Sequence, residues 1–304
     1  MADIKLLFRT IAVAALGLVA AACTAPSAND VAEPQTAMMM QLTANTKSEG
    51  FFAGFPDAFF VVGKVNNKAP MGMLVDTGST AGLTVSDQDL DKLGIPPEQI
   101  MRRGTIHTPI GEAGSSAPVF HLDLQIGGCE LKDVSGAAVP GEVRANFPSG
   151  MALLGTDALR RLSIYMRGDQ MTLSCEGNKQ EQFPPSDFSR RKFVFPITAN
   201  NQPLQALFDT GAAVLIVSDQ DLGQLGVKPA QIIAQGRAVF LSGIASMGPV
   251  FPLNLQLGVG AHKCELKNIR AMAAHLPSGT ALFGRSAQRP LDIRMQGDRM
   301  TLSC

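Results

Sequence analysis

The sequence predicts a mainly β fold made of two homologous lobes, and two observations lead to this prediction. Short apolar runs bounded by Gly and Asn recur along the 304 residues, and such runs are typical of buried strands that end in tight turns. The chain also repeats its own pattern: one half ends in Met171-Thr172-Leu173-Ser174-Cys175 and the other in Met300-Thr301-Leu302-Ser303-Cys304. Two related halves of about 115 residues indicate an internal duplication.

Composition limits the classes of function. Apolar residues make up 45% of the chain and charged residues 17%, which is typical of a globular protein. A chain of this length can form two domains that each bury a core. The 26 basic residues equal the 26 acidic ones, so no net positive charge favours nucleic acid as a partner.

Residues 1–22 have the features of a secretion signal. Lys5 and Arg9 give a positive start, and a short apolar run follows at 11–22. That run is too short for a comfortable membrane span. Residues 19–23 resemble the bacterial lipobox, although Ala20 stands where that pattern prefers Leu.

The lipobox resemblance implies an exported lipoprotein that is acylated on Cys23. A lipid anchor would hold it in the periplasm at the face of a bacterial membrane, and Thr24, in place of Asp, favours the outer membrane. The following residues are rich in Ala, Ser, Thr, Asn and Pro, which predicts a flexible tether. The expected segments are a signal peptide at 1–22, a tether at 23–50, an N-terminal lobe at 51–175, a linker at 176–191 and a C-terminal lobe at 192–304.

Each half begins with two strand-like runs around an asparagine turn. The asparagine pairs at 66–67 and 200–201 separate these runs, which predicts two β-hairpins. Ser86 and Ser218 are placed to cap a short helix that follows each hairpin.

The second run of each half ends in an acid, a hydroxyl residue and a glycine. These motifs are Asp76-Thr77-Gly78 and Asp209-Thr210-Gly211. A carboxylate at the end of a buried strand is costly unless a nearby group uses or satisfies it. Two such acids in matched contexts are expected to meet in space, and paired carboxylates that share a proton are the apparatus of acid–base hydrolysis.

These motifs resemble the active loops of aspartic proteases of the retropepsin–pepsin type, with both half-sites in one polypeptide. In that family an apolar-apolar-Gly segment packs behind each loop, and this chain has Leu153-Leu154-Gly155 and Leu282-Phe283-Gly284 at matching places. The resemblance covers nearly all of both lobes. It implies two retropepsin-like β-barrel lobes with short helices, related by a pseudo-twofold axis in a bilobal acid-protease fold.

The resemblance also implies endopeptide hydrolysis by a water held between the catalytic residues Asp76 and Asp209, without metal or cofactor. One carboxylate takes a proton from the water and the other donates one to the substrate. The substrate is expected to be a peptide or protein, and a monomer is expected because one chain supplies both acids. The family's supporting loop positions correspond here to Thr77, Gly78, Ser79, Thr210, Gly211 and Ala212.

The two active loops differ at the residue after the glycine, which is Ser79 in one and Ala212 in the other. In the family a hydroxyl at this position hydrogen-bonds the carboxylate of its own loop. Such a bond favours ionisation, so we expect Asp76 to be the general base and Asp209 to keep the proton. The alternative is that the pair shares its proton evenly. Glycine-rich segments at 108–116 and 241–248 are expected to be flaps.

Four cysteines accompany Cys23. In an exported protein an even set suggests disulfides, and the duplication favours Cys129–Cys175 and Cys264–Cys304 over the two other pairings. The sequence has no Cys-x-x-Cys or His-x-x-x-His spacing of the kind that predicts a metal site.

Two other functions stay open at the level of sequence. An Asp-Thr-Gly-Ser loop can also bind phosphate, as in sugar kinases, but the chain lacks a second Gly-rich strand-to-helix loop. A catalytically silent peptide-binding module derived from an aspartic protease would keep the fold and lose the chemistry. Both aspartates are intact, which favours the enzyme.

Overall fold

The computed structural model describes residues 39–43, 57–68, 70–108, 111–140, 147, 149–175, 192–239, 245–258 and 263–304. The expected signal peptide, the lipidation site Cys23 and the linker lie outside the described residues. Strand β1, Met39–Thr43, lies within the stretch that was expected to be a flexible tether. Within the described ranges, no helix is long and apolar enough to cross a membrane.

The first lobe is a β-barrel followed by a short helix and a hairpin. Its elements are β2 (Phe60–Val65), β3 (Pro70–Val75), β4 (Leu83–Ser86), β5 (Arg102–Thr108), β6 (Gly111–Ile126), β7 (Cys129–Val139), β8 (Met151–Leu154), α1 (Thr156–Leu159), β9 (Ser163–Arg167) and β10 (Gln170–Ser174). The strand order is β2-β3-β8-β4-β7-β6, and β2 pairs again with β6, which closes the barrel. Strand β5 pairs with β6 as the outer strand of a long hairpin.

The second lobe repeats this order strand for strand. Its elements are β11 (Val194–Ala199), β12 (Gln202–Phe208), β13 (Leu215–Ser218), β14 (Ala234–Val239), β15 (Ala245–Leu257), β16 (Cys264–Ala274), β17 (Thr280–Phe283), α2 (Arg285–Gln288), β18 (Asp292–Gln296) and β19 (Arg299–Ser303). The order is β11-β12-β17-β13-β16-β15-β14, and β11 pairs again with β15. Two closed six-stranded barrels confirm the predicted fold class.

The predicted hairpins form around the asparagine pairs. Asn66 and Asn67 have φ of 47° and 58°, and Asn200 and Asn201 have φ of 44° and 68°. Consecutive positive φ angles define a type I′ turn, which matches the twist of two antiparallel strands. Each turn therefore leads directly into the strand that ends just before Asp76 or Asp209.

A single 3-10 turn follows each active loop, at Asp87–Asp89 and Asp219–Asp221. Ser86 and Ser218 cap these turns, because their hydroxyls accept hydrogen bonds from the backbone two residues later. The short helices predicted from the serines are therefore present as one 3-10 turn each. Two further 3-10 turns lie at Pro97–Gln99 and Pro229–Gln231.

A five-stranded antiparallel sheet joins the lobes in the order β1-β10-β9-β18-β19. Its central pair is β9 with β18, so one hairpin comes from each lobe. Strand β1 pairs with the outer edge of β10, with Gln41 opposite Thr172. At least this part of the expected tether is therefore ordered by sheet pairing.

Each lobe carries the disulfide favoured by the duplication. Cys129 bonds Cys175 and Cys264 bonds Cys304. In both cases the bond ties the start of a long barrel strand to the end of the hairpin that joins the sheet between the lobes. Buried aromatic side chains, such as Phe120 and Phe251, fill the barrels beside them.

Candidate active site

Both aspartates stand where a buried strand ends beside a parallel neighbour. Asp76 follows β3, and its N–H donates to Leu154 O on β8 at 2.9 Å. Asp209 follows β12, and its N–H donates to Phe283 O on β17 at 3.2 Å. The same ladder thus fixes the backbone of each acid at the same edge of its barrel.

Two threonines lock the loops of the two lobes together. Thr77 N donates to Thr210 Oγ1 at 3.1 Å, and Thr210 N donates to Thr77 Oγ1 at 3.0 Å. The hydroxyls donate onward across the lobe boundary, from Thr77 to Phe208 O at 2.8 Å and from Thr210 to Val75 O at 2.7 Å. Both threonines are fully buried, so these bonds form away from competing water. These contacts brace each loop against the backbone of the other lobe.

The loop glycines let the two carboxyl groups approach. A Cβ added to Gly78 would lie 2.9 Å from Asp209 Cγ, and one added to Gly211 would lie 3.0 Å from Asp76 Cγ. Each glycine therefore packs against the aspartate of the other lobe. Any side chain at either position would push the two acids apart.

The glycines behind the loops are needed for a different reason. A Cβ on Gly155 would lie 2.0 Å from Ala81 O, and one on Gly284 would lie 2.1 Å from Val214 O. Backbone atoms of each active loop pass too close for any other residue. This contact explains the apolar-apolar-Gly segments that the sequence repeats.

Backbone N–H groups hold the two carboxylates unequally. Asp76 Oδ1 accepts from Gly78 N at 2.8 Å. Asp209 Oδ1 accepts from Gly211 N at 2.9 Å and also from Ala212 N at 3.2 Å. The two acids also hydrogen-bond each other. The site is a coupled pair with one member better supplied with donors.

The same inequality is present in the pKa values. Burial raises the pKa of Asp76 well above its usual value, and the Asp209 charge raises it further, while the Gly78 and Ser79 N–H groups lower it. Burial also raises the pKa of Asp209, but the Gly211 N–H, the Asp76 side chain, the Ala212 N–H and the Lys192 charge all lower it. Both pKa values are raised, and the larger rise at Asp76 favours the shared proton there.

Comparisons with known proteins give two similarities. A retropepsin-like aspartic protease from Rickettsia conorii is 21% identical in sequence, with a TM-score of 0.34, covering 46% of this chain and 93% of that chain. The comparison with curated proteins gives no match. Residues 61–161 match the family model described as gag-polyprotein putative aspartyl protease. This match includes the first active loop, and the second lobe repeats its fold and its loop. The first lobe is therefore similar in sequence to retropepsin-like aspartic proteases.

In this retropepsin-like protein, Ser79 does not have the role expected from the sequence. Its hydroxyl pairs with Thr84 Oγ1 at 3.3 Å, and its N–H donates to Asp76 O at 3.2 Å. The hydroxyl is thus turned toward the neighbouring strand β4. The expectation that Ser79 makes Asp76 the general base is not supported, because the better-supplied carboxylate belongs to Asp209.

Sequence reasoning missed one buried polar residue beside the second loop, Gln288. Gln288 donates to Asp209 O at 3.0 Å and to Phe283 O at 2.6 Å. Arg285 Nη1 donates to Gln288 Oε1 at 3.4 Å. At the equivalent position of the first lobe the residue is Leu159. The internal repeat could have indicated Gln288, because an alignment of α1 with α2 places its amide side chain opposite Leu159.

The flap hairpins are present, but their tips are not described. Strands β5 and β6 pair as far as Thr108 and Gly111, and β14 and β15 pair as far as Val239 and Ala245. Residues 109–110 and 240–244 lie outside the described residues. Across the part of the chain that the structure describes, no three His, Cys, Asp or Glu side chains converge to hold a metal ion.

Proposed function

We propose that this chain is an aspartic endopeptidase that hydrolyses peptide bonds with a water held between Asp76 and Asp209. The observation that supports this most is the half-buried pair of acids, which lie on two loops joined by reciprocal threonine hydrogen bonds. Burial and mutual repulsion favour a pair that carries one proton. A pair with one proton offers a general base and a general acid at once.

The proposed reaction uses the two acids in different roles. The Asp209 carboxylate takes a proton from the water as the water oxygen attacks the peptide carbonyl carbon. The Asp76 carboxylic acid gives its proton to the carbonyl oxygen, so that a neutral gem-diol forms. The proton on Asp209 then passes to the leaving nitrogen while Asp76 recovers a proton from the diol. The carbon–nitrogen bond breaks, and the pair again carries one proton.

The test is digestion of a mixed peptide library by the purified chain, read by mass spectrometry with and without pepstatin. We expect new internal termini that disappear with pepstatin and in Asp209→Asn. Peptide binding without cleavage by the parent chain would favour a catalytically silent peptide-binding module instead. Turnover that depends on ATP would favour a phosphotransferase.

We further propose that the protein is exported and anchored by lipid on Cys23, with the outer membrane favoured, and acts as a monomer. Two disulfides in one chain fit an oxidising compartment, and the residues before Cys23 resemble a lipobox. Mass spectrometry of the N-terminal peptide should find acyl groups on Cys23, and Cys23→Ser should release the protein from membranes. An unmodified, soluble parent chain would contradict the anchor.

A further inference from the structure

The two active loops use the same backbone donor in different ways. In the first loop, Ser79 N donates to the carbonyl of Asp76 at 3.2 Å and shares its N–H with the Asp76 carboxylate. In the second, the equivalent Ala212 N donates to the carboxylate of Asp209. The difference is independent of the Ser-to-Ala exchange, because only backbone groups take part.

Gln288 accounts for this difference. Its amide donates to the carbonyl of Asp209 and to Phe283 O, which bridges the active loop to the strand behind it. Leu159, the equivalent residue in α1, has no donor to offer Asp76. Because the Asp209 carbonyl is already satisfied, the turn need not supply it, and the Ala212 N–H is free to face the carboxylate.

We propose that Gln288 is a positioning residue that makes Asp209 the ionised member of the pair and Asp76 the protonated one. It does so through the Asp209 carbonyl and the Ala212 N–H, without touching substrate or water. The catalytic consequence of this inference rests on the proposed function, whereas the hydrogen bonds of Gln288 do not depend on it.

Gln288 is held in place from the side away from the loop. Its side chain is 1% exposed, and its oxygen accepts from Arg285, which itself donates to Gly168 O at 2.7 Å in the first lobe. A buried amide with all three contacts filled has one orientation. The contact from Arg285 also fixes which end of the amide faces Asp209.

Three charged groups face the pair or its support, and each bears on the test. Asp76 lies opposite Asp209, Lys192 lies before β11 and lowers the pKa of Asp209, and Arg285 lies behind Gln288. Ala58 stands in the first lobe where Lys192 stands in the second. Lys192 therefore adds to the same asymmetry, and it stays unchanged in every variant below.

The experiment compares Gln288→Met with Leu159→Met in the full mature chain. Methionine keeps the length of Gln288 and removes only its hydrogen bonds, and Leu159→Met is the matched change in the first lobe. The probe is the ¹³C NMR titration of labelled aspartate carboxyl carbons, which needs no substrate. We expect the lower apparent pKa of the pair to rise by about one unit in Gln288→Met and to stay in place in Leu159→Met.

Activity provides a second, separate readout. The acid limb of kcat/KM should move to higher pH by a similar amount in Gln288→Met, with KM little changed. An unmoved titration in a folded Gln288→Met protein, or an equal shift in Leu159→Met, would overturn the proposal. Loss of folding in both Gln288→Met and Gln288→Leu, with Leu159→Met intact, would also overturn it in favour of a purely structural role. If the chain cleaves no peptide, the proposed function fails while the titration still decides the role of Gln288.

Discussion

Some residues around the two aspartates occur at equivalent positions in both lobes, and others occur in only one lobe. The aspartates, threonines and glycines of both loops make matching contacts across the lobe boundary. Gln288 and Lys192 have no counterpart of the same chemistry in the first lobe, where Leu159 and Ala58 stand. Two chemically identical acids can therefore have different roles because their unmatched neighbours differ.

Asp76→Asn should become more stable relative to the parent chain as the pH rises. The folded pKa of Asp76 is raised, so folding favours the neutral acid, and a rising pH ionises the unfolded chain first. The parent therefore loses stability from about pH 4 up to the folded pKa, and the asparagine variant does not. Urea unfolding at both ends of this window measures the gain. A gain of equal size at both ends would show that the folded pKa is not raised.

Ser79→Ala should leave the acid limb of the pH–rate profile where it is. The hydroxyl contacts Thr84 Oγ1 and not the Asp76 carboxylate, so its removal changes the packing of β4 and not the titration of the pair. Thr84→Val is the matched control, because it removes the other half of the same contact. A shift of the acid limb in Ser79→Ala alone would restore the hydroxyl as a determinant of the pKa.

The sequence predicted the dyad because the Asp-Thr-Gly motif is local and occurs twice. It did not predict the contact of the Ser79 hydroxyl, because a hydroxyl next to a carboxylate was expected to face it. The direction of the Ser79 side chain depends on a partner five residues away on β4. The donor on Gln288 comes from 79 residues away, a distance at which periodicity carries no information.

At the level of elements, hairpins and caps were predictable and sheet partners were not. Paired asparagines and capping serines act within four residues, so the local sequence is enough to predict the turns and caps that they form. The pairing of β1 with β10 joins positions that are far apart in sequence, and the composition of the tether concealed it. Parallel neighbours such as β3 and β8 were inferred only through the repeated glycine segments.

The two disulfides give a prediction at this scale. Cys264→Ser with Cys304→Ser should lower the free energy of unfolding by about 2–4 kcal/mol, because the bond closes a long loop in the unfolded chain. The sequence separations of 40 and 46 residues are similar, so the matched pair Cys129→Ser with Cys175→Ser should cost a similar amount. Thermal and urea unfolding of both double variants measure it. A large cost in one lobe and none in the other would contradict the chain-entropy explanation.

At the scale of the whole molecule, an arginine of each lobe forms an ion pair with an aspartate of the other lobe. Arg160 Nη1 of the first lobe lies 2.7 Å from Asp298 Oδ1 of the second. Arg289 Nε of the second lies 2.6 Å from Asp169 Oδ1 of the first. These arginines occupy equivalent places after α1 and α2, so the duplicated halves exchange equivalent contacts. These two ion pairs, the joint sheet and the threonine hydrogen bonds connect the two lobes.

Arg285 adds buried contacts to the first lobe from a position where that lobe itself has Thr156. It is 1% exposed, lies over the Phe59 ring at 4.3 Å and donates to Gly168 O and Asp57 O. Burial lowers its pKa to about 10, so it stays charged at neutral pH. Its guanidinium joins the first lobe to the helix that supports the Asp209 loop.

Arg285→Met should therefore cost about 1–3 kcal/mol of stability, because two carbonyl acceptors lose their donor inside the protein. Arg289→Met is the matched control and should cost less than about 1 kcal/mol. The Arg289 side chain is 37% exposed, and water weakens its ion pairs with Asp57 and Asp169. Urea unfolding of the two variants gives both values. Equal costs would show that the buried contacts of Arg285 contribute no more than a surface ion pair.

The central claim is that one aspartate from each lobe performs the hydrolysis. The most direct measurement is kcat for the best-cleaved library peptide with the parent chain, Asp76→Asn and Asp209→Asn, each confirmed as folded by its unfolding curve. Each single variant should lose about 10²-fold to 10⁴-fold or more in kcat, because a lone carboxyl cannot act as acid and base at once. A folded single variant that keeps a kcat near the parent value would contradict the dyad.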